Sequence, residues 1–339
     1  MQLVFLLDSW TVNAWYRVVA PMRALEAMGH EVREATLEEP RLWDELLRWC
    51  DLLLIHRSSR QETVRLARRA KQLGVPIVWD DDDDLTKVPK GSAAYRNAGG
   101  LRGQQLLRER AKLFELVDLV TTPSDQLGRS YLRAGARDVC VIENYVIDEF
   151  LGTRRRRKGT WIGWVASEEH RFDLQHIPIA DALARLLDAH KDAHVMTIGI
   201  QLPISHPRYV HEPGIPPREL LHEISTFDVG IAPLSTKIAI NHSRSNVKLK
   251  EYAAVGVPWL ASPIGPYVGF GEDEGGRLVD DDRWFEELDA LVSNRRQREK
   301  LAKQAAEWGE VQLITENIED WEEEFSALVE NSRQRRRAS

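Results

Sequence analysis

The chain has 339 residues, of which 43% are hydrophobic and 29% are charged, and its formal net charge is −7. These values are ordinary for a globular protein and exclude the disordered, collagen-like and coiled-coil classes. At roughly 150 residues per domain, the length predicts about two domains. The net acidity argues against a protein that coats nucleic acid by bulk electrostatics, because such binding needs many basic contacts with phosphate.

The amino terminus and the two cysteines bear on the cellular compartment. The apolar run M-Q-L-V-F-L-L ends at Asp8 without a preceding basic region, so we interpret it as a buried strand rather than a signal peptide. Cys50 and Cys140 fit neither a disulfide framework nor a zinc spacing, which indicates a reducing compartment, and we expect the cytoplasm. No stretch reaches the roughly 18 apolar residues of a membrane span, so we expect at most peripheral membrane contact.

In the first half of the chain, short apolar runs alternate with segments of helical periodicity. This pattern predicts a parallel sheet covered by helices on both faces. Helices are expected between the strands, including 14–28 and 124–134, the second with Ser124 as its N-cap. The predicted strands are 3–7, 31–35, 52–55, 76–79, 119–122 and 139–142.

Apolar periodicity stops at 148–160, where five basic residues run from Arg154 to Lys158. We interpret this segment as a linker between two domains. A solvated hinge is the plainer interpretation of the basic run, and a patch that binds anionic lipid or phosphate is the alternative.

A second alternating pattern follows the linker and predicts a second sheet of the same kind. The expected domains are therefore 1–150 and 151–312, followed by a helical segment, 313–339, that returns to the first domain and ends in a frayed basic tail. In that segment Trp321 and Phe325, four residues apart, form the predicted docking stripe. The predicted elements of the second domain are strands 161–166, 195–199, 228–232 and 257–261 and helices 174–190, 217–226 and 247–255.

The loop before helix 247–255 is rich in hydrogen-bond donors. In doubly wound folds ligands bind beyond the carboxyl ends of the strands, and a helix N-terminus placed there attracts phosphate. The loop and the first turns of the helix hold hydroxyl and amide donors, two cations and a carboxylate suited to sugar hydroxyls, namely Ser243, Ser245, Asn246, Arg244, Lys248 and Glu251. The spacing fits a nucleoside diphosphate. A capped amphipathic helix with solvated charges is the alternative that so short a motif leaves open.

The stretches F-D-V-G-I-A-P-L and N-H-S-R-S-N-V-K-L-K-E-Y-A-A-V-G-V-P-W-L-A-S resemble the donor-binding signature of GT-B glycosyltransferases, most of all family 4. The resemblance covers nearly the whole chain. It implies an α/β fold of GT-B architecture, with two doubly wound Rossmann-like domains that face each other across a cleft. It also implies that loop amides, Ser245, Asn246 and Lys248 hold the donor diphosphate and that Glu251 binds the ribose. Where the family often has a glutamate that contacts the donor sugar, this chain has Ser243, within a Ser-Arg-Ser variant that a subset of members shares.

The segment W-I-G-W-V-A-S-E-E-H resembles the glycine loop after the first strand of the family's donor domain. The resemblance implies that Gly163 permits close approach of the ligand and that His170 or Arg171 faces the phosphates. Many relatives neutralise the leaving diphosphate with a basic pair. Here that pair is expected to be Arg171 with Lys248, and Arg244 is the alternative.

Two candidates in the first domain have both a functional and a plain interpretation. Arg17, in a segment that replaces the family's glycine-rich first loop, either reaches phosphate or acceptor or packs at the surface on Trp15 or another aromatic. His56, at the end of strand 52–55, matches positions where the family places a polar residue near the sugar. A histidine there that is merely hydrogen-bonded is the plain alternative.

Five aspartates, Asp80 to Asp84, follow strand 76–79 directly. Adjacent carboxylates repel one another, so they need a metal ion, a helix N-terminus, arginine neighbours or a hydroxyl-rich acceptor. A metal-binding D-x-D is typical of GT-A enzymes, which have one nucleotide-binding domain, whereas GT-B enzymes generally need no metal. We therefore expect Asp81, Asp82 and Asp83 on the acceptor side, and adventitious cation binding or a general base stays open.

Together these features predict a glycosyltransferase that moves a sugar from a nucleoside-diphosphate sugar to an acceptor hydroxyl with retention of configuration. Positioned cations would stabilise the leaving diphosphate, so no cofactor is expected to be required and a divalent metal is not expected to be essential. The expected acceptors are a glycan, a lipid-linked sugar, a protein or a modified nucleic-acid base. The alternatives are a nucleotide-sugar epimerase or hydrolase on the same scaffold, or a noncatalytic nucleotide- or glycan-binding module.

Overall fold

The computed structural model describes residues 1–7, 12–152 and 155–338, which form two compact units. Unit 1 consists of Met1–Asn144, Ser243–Ser245 and the chain from Ile314 onward, and unit 2 consists of Tyr145–His242 and Asn246–Leu313. Two residues named in the sequence analysis lie outside the described residues. They are Asp8, where the first apolar run ends, and Arg154, the first residue of the basic run.

Unit 1 is built on a six-stranded parallel sheet in the order β2-β1-β3-β4-β5-β6. All six strands were predicted from the apolar runs, and the central ones are buried because helices cover both faces. The chain leaves β1 for β2 on one side and reaches β3 on the other, so the carboxyl ends of β1 and β3 flank a topological switch point. The strands are β1 Gln2–Leu7, β2 Glu31–Ala35, β3 Leu52–His56, β4 Ile77–Asp80, β5 Leu119–Thr122 and β6 Val139–Val141.

Unit 2 has a second six-stranded parallel sheet, in the order β12-β11-β10-β7-β8-β9, and its switch point lies between β7 and β10. Two of its strands were not predicted. The residues of β9 are all half-buried, and β12 has only three residues, so neither shows a clear apolar run. The strands are β7 Thr160–Ala166, β8 Ala193–Gly199, β9 Tyr209–Glu212, β10 Val229–Ala232, β11 Trp259–Ala261 and β12 Gly276–Leu278.

The helices connect the strands and cover both sheets. In chain order they are α1 Val12–Ala14, α2 Ala20–Ala27, α3 Trp43–Trp49, α4 Gln61–Gln72, α5 Ala93–Ala98, α6 Gly100–Phe114, α7 Asp125–Arg133, α8 Ile179–Ala189, α9 Pro217–Ile224, α10 Val247–Ala254, α11 Trp284–Ser293, α12 Arg295–Glu310, α13 Ile314–Asn317 and α14 Glu319–Ala338. None of the helices in the described ranges is long and apolar enough to cross a membrane.

The helix predicted at 14–28 is interrupted by a π turn, Trp15–Val19, between α1 and α2. The N–H of Ala20 bonds to the carbonyl of Trp15, five residues earlier. Pro21 follows and has no N–H to offer the carbonyl of Arg17, which favours this local rearrangement. Single π turns inside α-helices occur frequently at functional sites.

The C-terminal helix α14 belongs to unit 1, and its apolar side chains are part of that unit's interior. Trp321 is 1% exposed and Phe325 is 0% exposed, and their rings meet edge to face at 5.7 Å. Glu322 pairs with His30 at 2.9 Å. The basic end was expected to be frayed, but the structure continues α14 through Ala338.

The described part of the basic run belongs to unit 2. The N–H of Arg155 donates to the carbonyl of Ser225, and the guanidinium of Arg157 pairs with Glu223 at 2.7 Å. The charge of Arg157 is therefore compensated within its own unit.

Candidate functional site

In unit 2 one buried carboxylate links the loops that follow β7 and β10, the two strands at the switch point. Oδ1 of Asp173 accepts bonds from the backbone N–H of Ser235 at 2.8 Å and from the amide of Asn241 at 2.6 Å. Oδ2 lies 3.0 Å from Nδ1 of His170. Asp173, which is 2% exposed, therefore ties the two loops to each other. Asp173 was not singled out from sequence, although an acidic side chain shortly after the first strand of the second domain was a visible signal.

Most of helix α10 is covered by the rest of the chain, because Leu249 to Ala254 are all buried. The predicted phosphate cation in the first turn and the predicted ribose carboxylate at the start of the second turn contact each other. Nζ of Lys248 lies 2.6 Å from Oε2 of Glu251, and the two side chains are 22% and 2% exposed. The structure therefore brings these two predicted residues together and gives each a compensating charge. Lys250, which was not singled out from sequence, is buried with its ammonium 4.1 Å from the ring centre of Tyr145.

Gly163 does not have the position that the resemblance implied. It lies inside β7 rather than in a loop, and a Cβ added there would stand 2.0 Å from the ring of Phe227. Its missing side chain makes room for that ring, so the expectation that it admits a ligand is replaced by a packing role. Beyond β7, Arg171 is exposed, and its guanidinium lies 5.0 Å from the ring centre of Phe172.

The two serines of the predicted donor loop belong to unit 1 and contact other residues of that unit. The carbonyl of Ser243 accepts a bond from the hydroxyl of Ser124 at 2.9 Å, and the hydroxyl of Ser245 accepts one from the amide of Asn144 at 3.1 Å. Arg244, between them, is half-buried. These contacts hold the backbone of the Ser-Arg-Ser segment. Asn246, the next residue and the first of the following unit 2 segment, is buried and precedes the first turn of α10.

Arg17 is a buried residue of unit 1, so the interpretation that placed it at the surface is wrong. It is 0% exposed, and its Nε and Nη2 donate to the carboxylate of Asp80, the shorter distance being 2.6 Å. Nη1 donates to Oδ1 of Asn144 at 3.0 Å and to the carbonyl of Ile142. Its aromatic neighbour is Trp321 at 4.8 Å, rather than Trp15. These contacts use the guanidinium to hold the fold and leave it poorly suited to reach a ligand.

His56 ends β3 at the switch point of unit 1 and Arg57 follows it, and both have unusual surroundings. His56 is 0% exposed, and neither ring nitrogen has a hydrogen-bond partner among the residues that the structure describes. Burial and the guanidinium groups of Arg57 and Arg17 lower the pKa of His56 to about 3, so the ring is neutral at neutral pH. Within the described ranges, Arg57 is the one non-glycine residue with a positive φ, 59°. Such a backbone costs about 1–3 kcal/mol and is frequent at binding sites.

Arg57 also explains why the aspartate run is tolerated. Its guanidinium lies 3.3 Å from Asp81, 3.7 Å from Asp82 and 3.3 Å from Asp83. The hydroxyl of Tyr131 donates to Asp81 at 2.6 Å. Arginine neighbours, one of the reasons considered for the run, are therefore present.

The carboxylates of this cluster differ in their protonation. Burial and the adjacent Asp83 raise the pKa of Asp82 to about 7, despite Arg57. Burial also raises the pKa of Asp81, while Arg57 and Arg110 oppose the rise. In the part of the chain that the structure describes, no group of three or more histidine, cysteine or acidic residues is arranged to hold a metal ion.

Comparison with known proteins supports the fold assignment. No family model matches the chain, and no curated protein matches its sequence. Among solved structures, HepE of Anabaena in complex with UDP and glucose is similar with a TM-score of 0.68 and 13% identity, over 96% of this chain and 99% of that one. An α-glucosyltransferase, AGT, in complex with UDP has a TM-score of 0.64 and 13% identity, over 96% and 99% of the two chains.

A putative UDP-N-acetylglucosamine 2-epimerase from Listeria monocytogenes is similar with a TM-score of 0.56 and 12% identity, over 93% of this chain and 94% of that one. The two parallel sheets and these neighbours confirm the predicted α/β class and GT-B fold. At these identities the similarity establishes the fold.

Proposed function

We propose that the chain is a glycosyltransferase that moves a sugar from a nucleoside-diphosphate sugar to an acceptor hydroxyl. The observation that carries the proposal is the Lys248–Glu251 pair in the first two turns of α10, which follows β10 at the switch point of unit 2. A cation and a carboxylate placed there match the two ends of a ribose diphosphate. UDP is the first nucleotide to test, because the HepE and AGT structures contain it.

In the proposed mechanism, donors at the N-terminus of α10 and the ammonium of Lys248 stabilise negative charge on the diphosphate as the sugar–phosphate bond breaks. Arg171 or Arg244 supplies the second positive charge, His170 and the Ser243–Asn246 segment contribute to donor binding, and Glu251 accepts bonds from the ribose hydroxyls. As in family 4, which the loop resembles, we propose retention of configuration and a reaction in which a divalent metal is not essential.

We propose that unit 1 is the acceptor-side domain and unit 2 the donor domain. The neutral ring of His56 and the carboxylates Asp81, Asp82 and Asp83 lie near the carboxyl ends of β3 and β4, where a doubly wound sheet places its ligand. A neutral imidazole and carboxylates suit an acceptor rich in hydroxyl groups. The candidate acceptors stay a glycan, a lipid-linked sugar, a protein and a modified nucleic-acid base, and we propose the cytoplasm as the compartment.

A nucleotide-sugar epimerase is the second candidate, because a putative enzyme of that class shares the fold and because the Asp80–Asp84 cluster contains a carboxylate with a raised pKa. Incubation with UDP-glucose labelled in the sugar separates the two. Transfer of label to an added acceptor supports the first, and conversion of the free nucleotide sugar supports the second. If neither result is observed and the chain still binds UDP, the protein is a noncatalytic binding module.

A further inference from the structure

Unit 1 contains a cavity of about 180 Å³ beside the aspartate cluster. It lies between the turn that starts at Leu85 and the pair of helices α5 and α6. Apolar side chains form much of its wall, namely Leu85, Val88, Tyr95, Leu106 and Leu107. An apolar cavity of about 150 Å³ in another protein holds benzene, so this one is large enough for a ring or a short alkyl segment.

One wall residue of this cavity is a buried guanidinium. Arg110 is 2% exposed, and its Nε and Nη2 have no hydrogen-bond partner among the described residues. Its nearest carboxylate, Asp81, is 3.7 Å away, which exceeds hydrogen-bond distance. The guanidinium otherwise lies 5.0 Å from the ring centre of Trp79 and 5.5 Å from that of Tyr131. Buried charged donors without an acceptor are costly, so an oxygen supplied by a ligand would be strongly favoured.

The local charges indicate which kind of oxygen fits. Arg57 lies beside Asp81, Asp82 and Asp83, and Arg110 lies beside Asp81, so the two guanidinium charges are already balanced when two of the three carboxylates are ionised. A further anion would be repelled by the aspartates, whereas a hydroxyl, ether or carbonyl oxygen can accept from Arg110 without that cost.

We propose that the cavity binds the apolar part of a neutral ligand, with one ligand oxygen accepting a hydrogen bond from Arg110. On the proposed function, on which this step rests, that ligand is the acceptor. The acceptor class is then an amphipathic molecule with a short alkyl or aryl group beside the receiving hydroxyl, rather than a wholly polar sugar.

The binding test uses 1-hexanol, hexanoate and glycerol as probes of the full chain, titrated by saturation-transfer NMR. Hexanol should bind, hexanoate should bind more weakly, and glycerol should give no saturable signal.

Arg110→Lys keeps the charge but loses the fork of donors, so hexanol affinity should fall by about tenfold. Leu107→Trp should abolish binding by filling the cavity from its rim, where Leu107 is 41% exposed. Leu101→Trp is the matched control, because Leu101 lies on the same helix, is 84% exposed and is not part of the cavity wall.

Hexanoate binding more tightly than hexanol, or Leu107→Trp and Leu101→Trp behaving alike, would overturn the proposal. UDP binding, measured by calorimetry on the same variants, should equal that of wild type. Hexanol binding without any UDP binding would refute the nucleotide site and still support the chemistry of the cavity.

In the transfer assay, hexyl β-glucoside should be a better acceptor than glucose, and Leu107→Trp should remove that preference. Equal use of both acceptors by the wild-type chain would refute the acceptor role.

Discussion

Replacing Lys248 by alanine tests the proposed donor site most directly. The ammonium lies 2.6 Å from Glu251, whose side chain is only 2% exposed. The change therefore removes the proposed phosphate ligand and also leaves a buried carboxylate without its cation. A hydrogen bond to a charged group contributes about 1.5–3 kcal/mol. At about 1.4 kcal/mol per tenfold change, we expect UDP affinity to fall by about 10- to 150-fold.

The same variant should lose some stability, because the stranded carboxylate costs about 1–3 kcal/mol. For a unit of this size each kcal/mol lowers Tm by about 2–4 °C. The double variant Lys248→Met with Glu251→Gln removes both charges, so it should recover most of that Tm without recovering affinity. Lys191→Ala is the matched control, since Lys191 is exposed and lies at the amino end of β8, whereas α10 follows the carboxyl end of β10.

Affinity is measured by isothermal calorimetry with UDP, and Tm is measured by calorimetric unfolding of the ligand-free chain. If wild type binds UDP and Lys248→Ala binds it within about threefold, the assignment of Lys248 as a phosphate ligand is refuted. If the double variant binds as tightly as wild type, the loss in the single variant arose from the uncompensated Glu251 rather than from a missing ligand.

Three further predictions concern stability. Gly163→Ala places a Cβ 2.0 Å from the ring of Phe227 and should lower the free energy of unfolding by about 1–3 kcal/mol. Gly214→Ala is the control, because a Cβ at that position meets nothing within 4 Å, and it should leave the urea midpoint unchanged. Equal midpoints would contradict the packing role. Arg17→Leu leaves a buried carboxylate unpaired and should cost about 3–5 kcal/mol in urea unfolding; a loss below about 1 kcal/mol would refute it. Burial raises the pKa of Asp82 from 3.8 to about 7, so the stability contributed by this group is complete below pH 3.8 and is lost as pH rises to about 7. Asp82→Asn should therefore gain stability relative to wild type across that window, and a pH-independent difference would count against the raised pKa.

Much of the fold was predictable from sequence because buried parallel strands form short apolar runs bounded by turn residues. Five strands of unit 1 and the four longest apolar runs of unit 2 were found in this way, and the more exposed β2 was predicted from the weaker pattern E-V-R-E-A. The half-buried edge strand β9 and the three-residue β12 were missed, because an edge position relaxes the apolar requirement. The π turn at Trp15–Val19 was missed as well, since apolar periodicity does not distinguish it from an α-helical turn.

The candidate site was predictable where its residues are close in sequence. Lys248 and Glu251 are three residues apart on one helix, so their spacing was enough to place them on one face. The surroundings of Arg57, Arg110 and Asp173 depend on contacts between distant segments, which a single sequence does not reveal. Gly163 shows the converse case, because a glycine that looked suited to a ligand makes room for a phenylalanine 64 positions later.

The composition of unit 1 has a consequence for synthesis on the ribosome. Its first segment ends at Asn144, yet Trp321 and Phe325, which are buried in the same unit, are translated only after all of unit 2. Domains usually fold in the order in which they emerge. Here unit 2 can be complete while the nascent unit 1 still exposes the surface that α14 will cover. The amino-terminal half of the chain is therefore expected to be the last to reach its native state and the part most dependent on chaperones during translation.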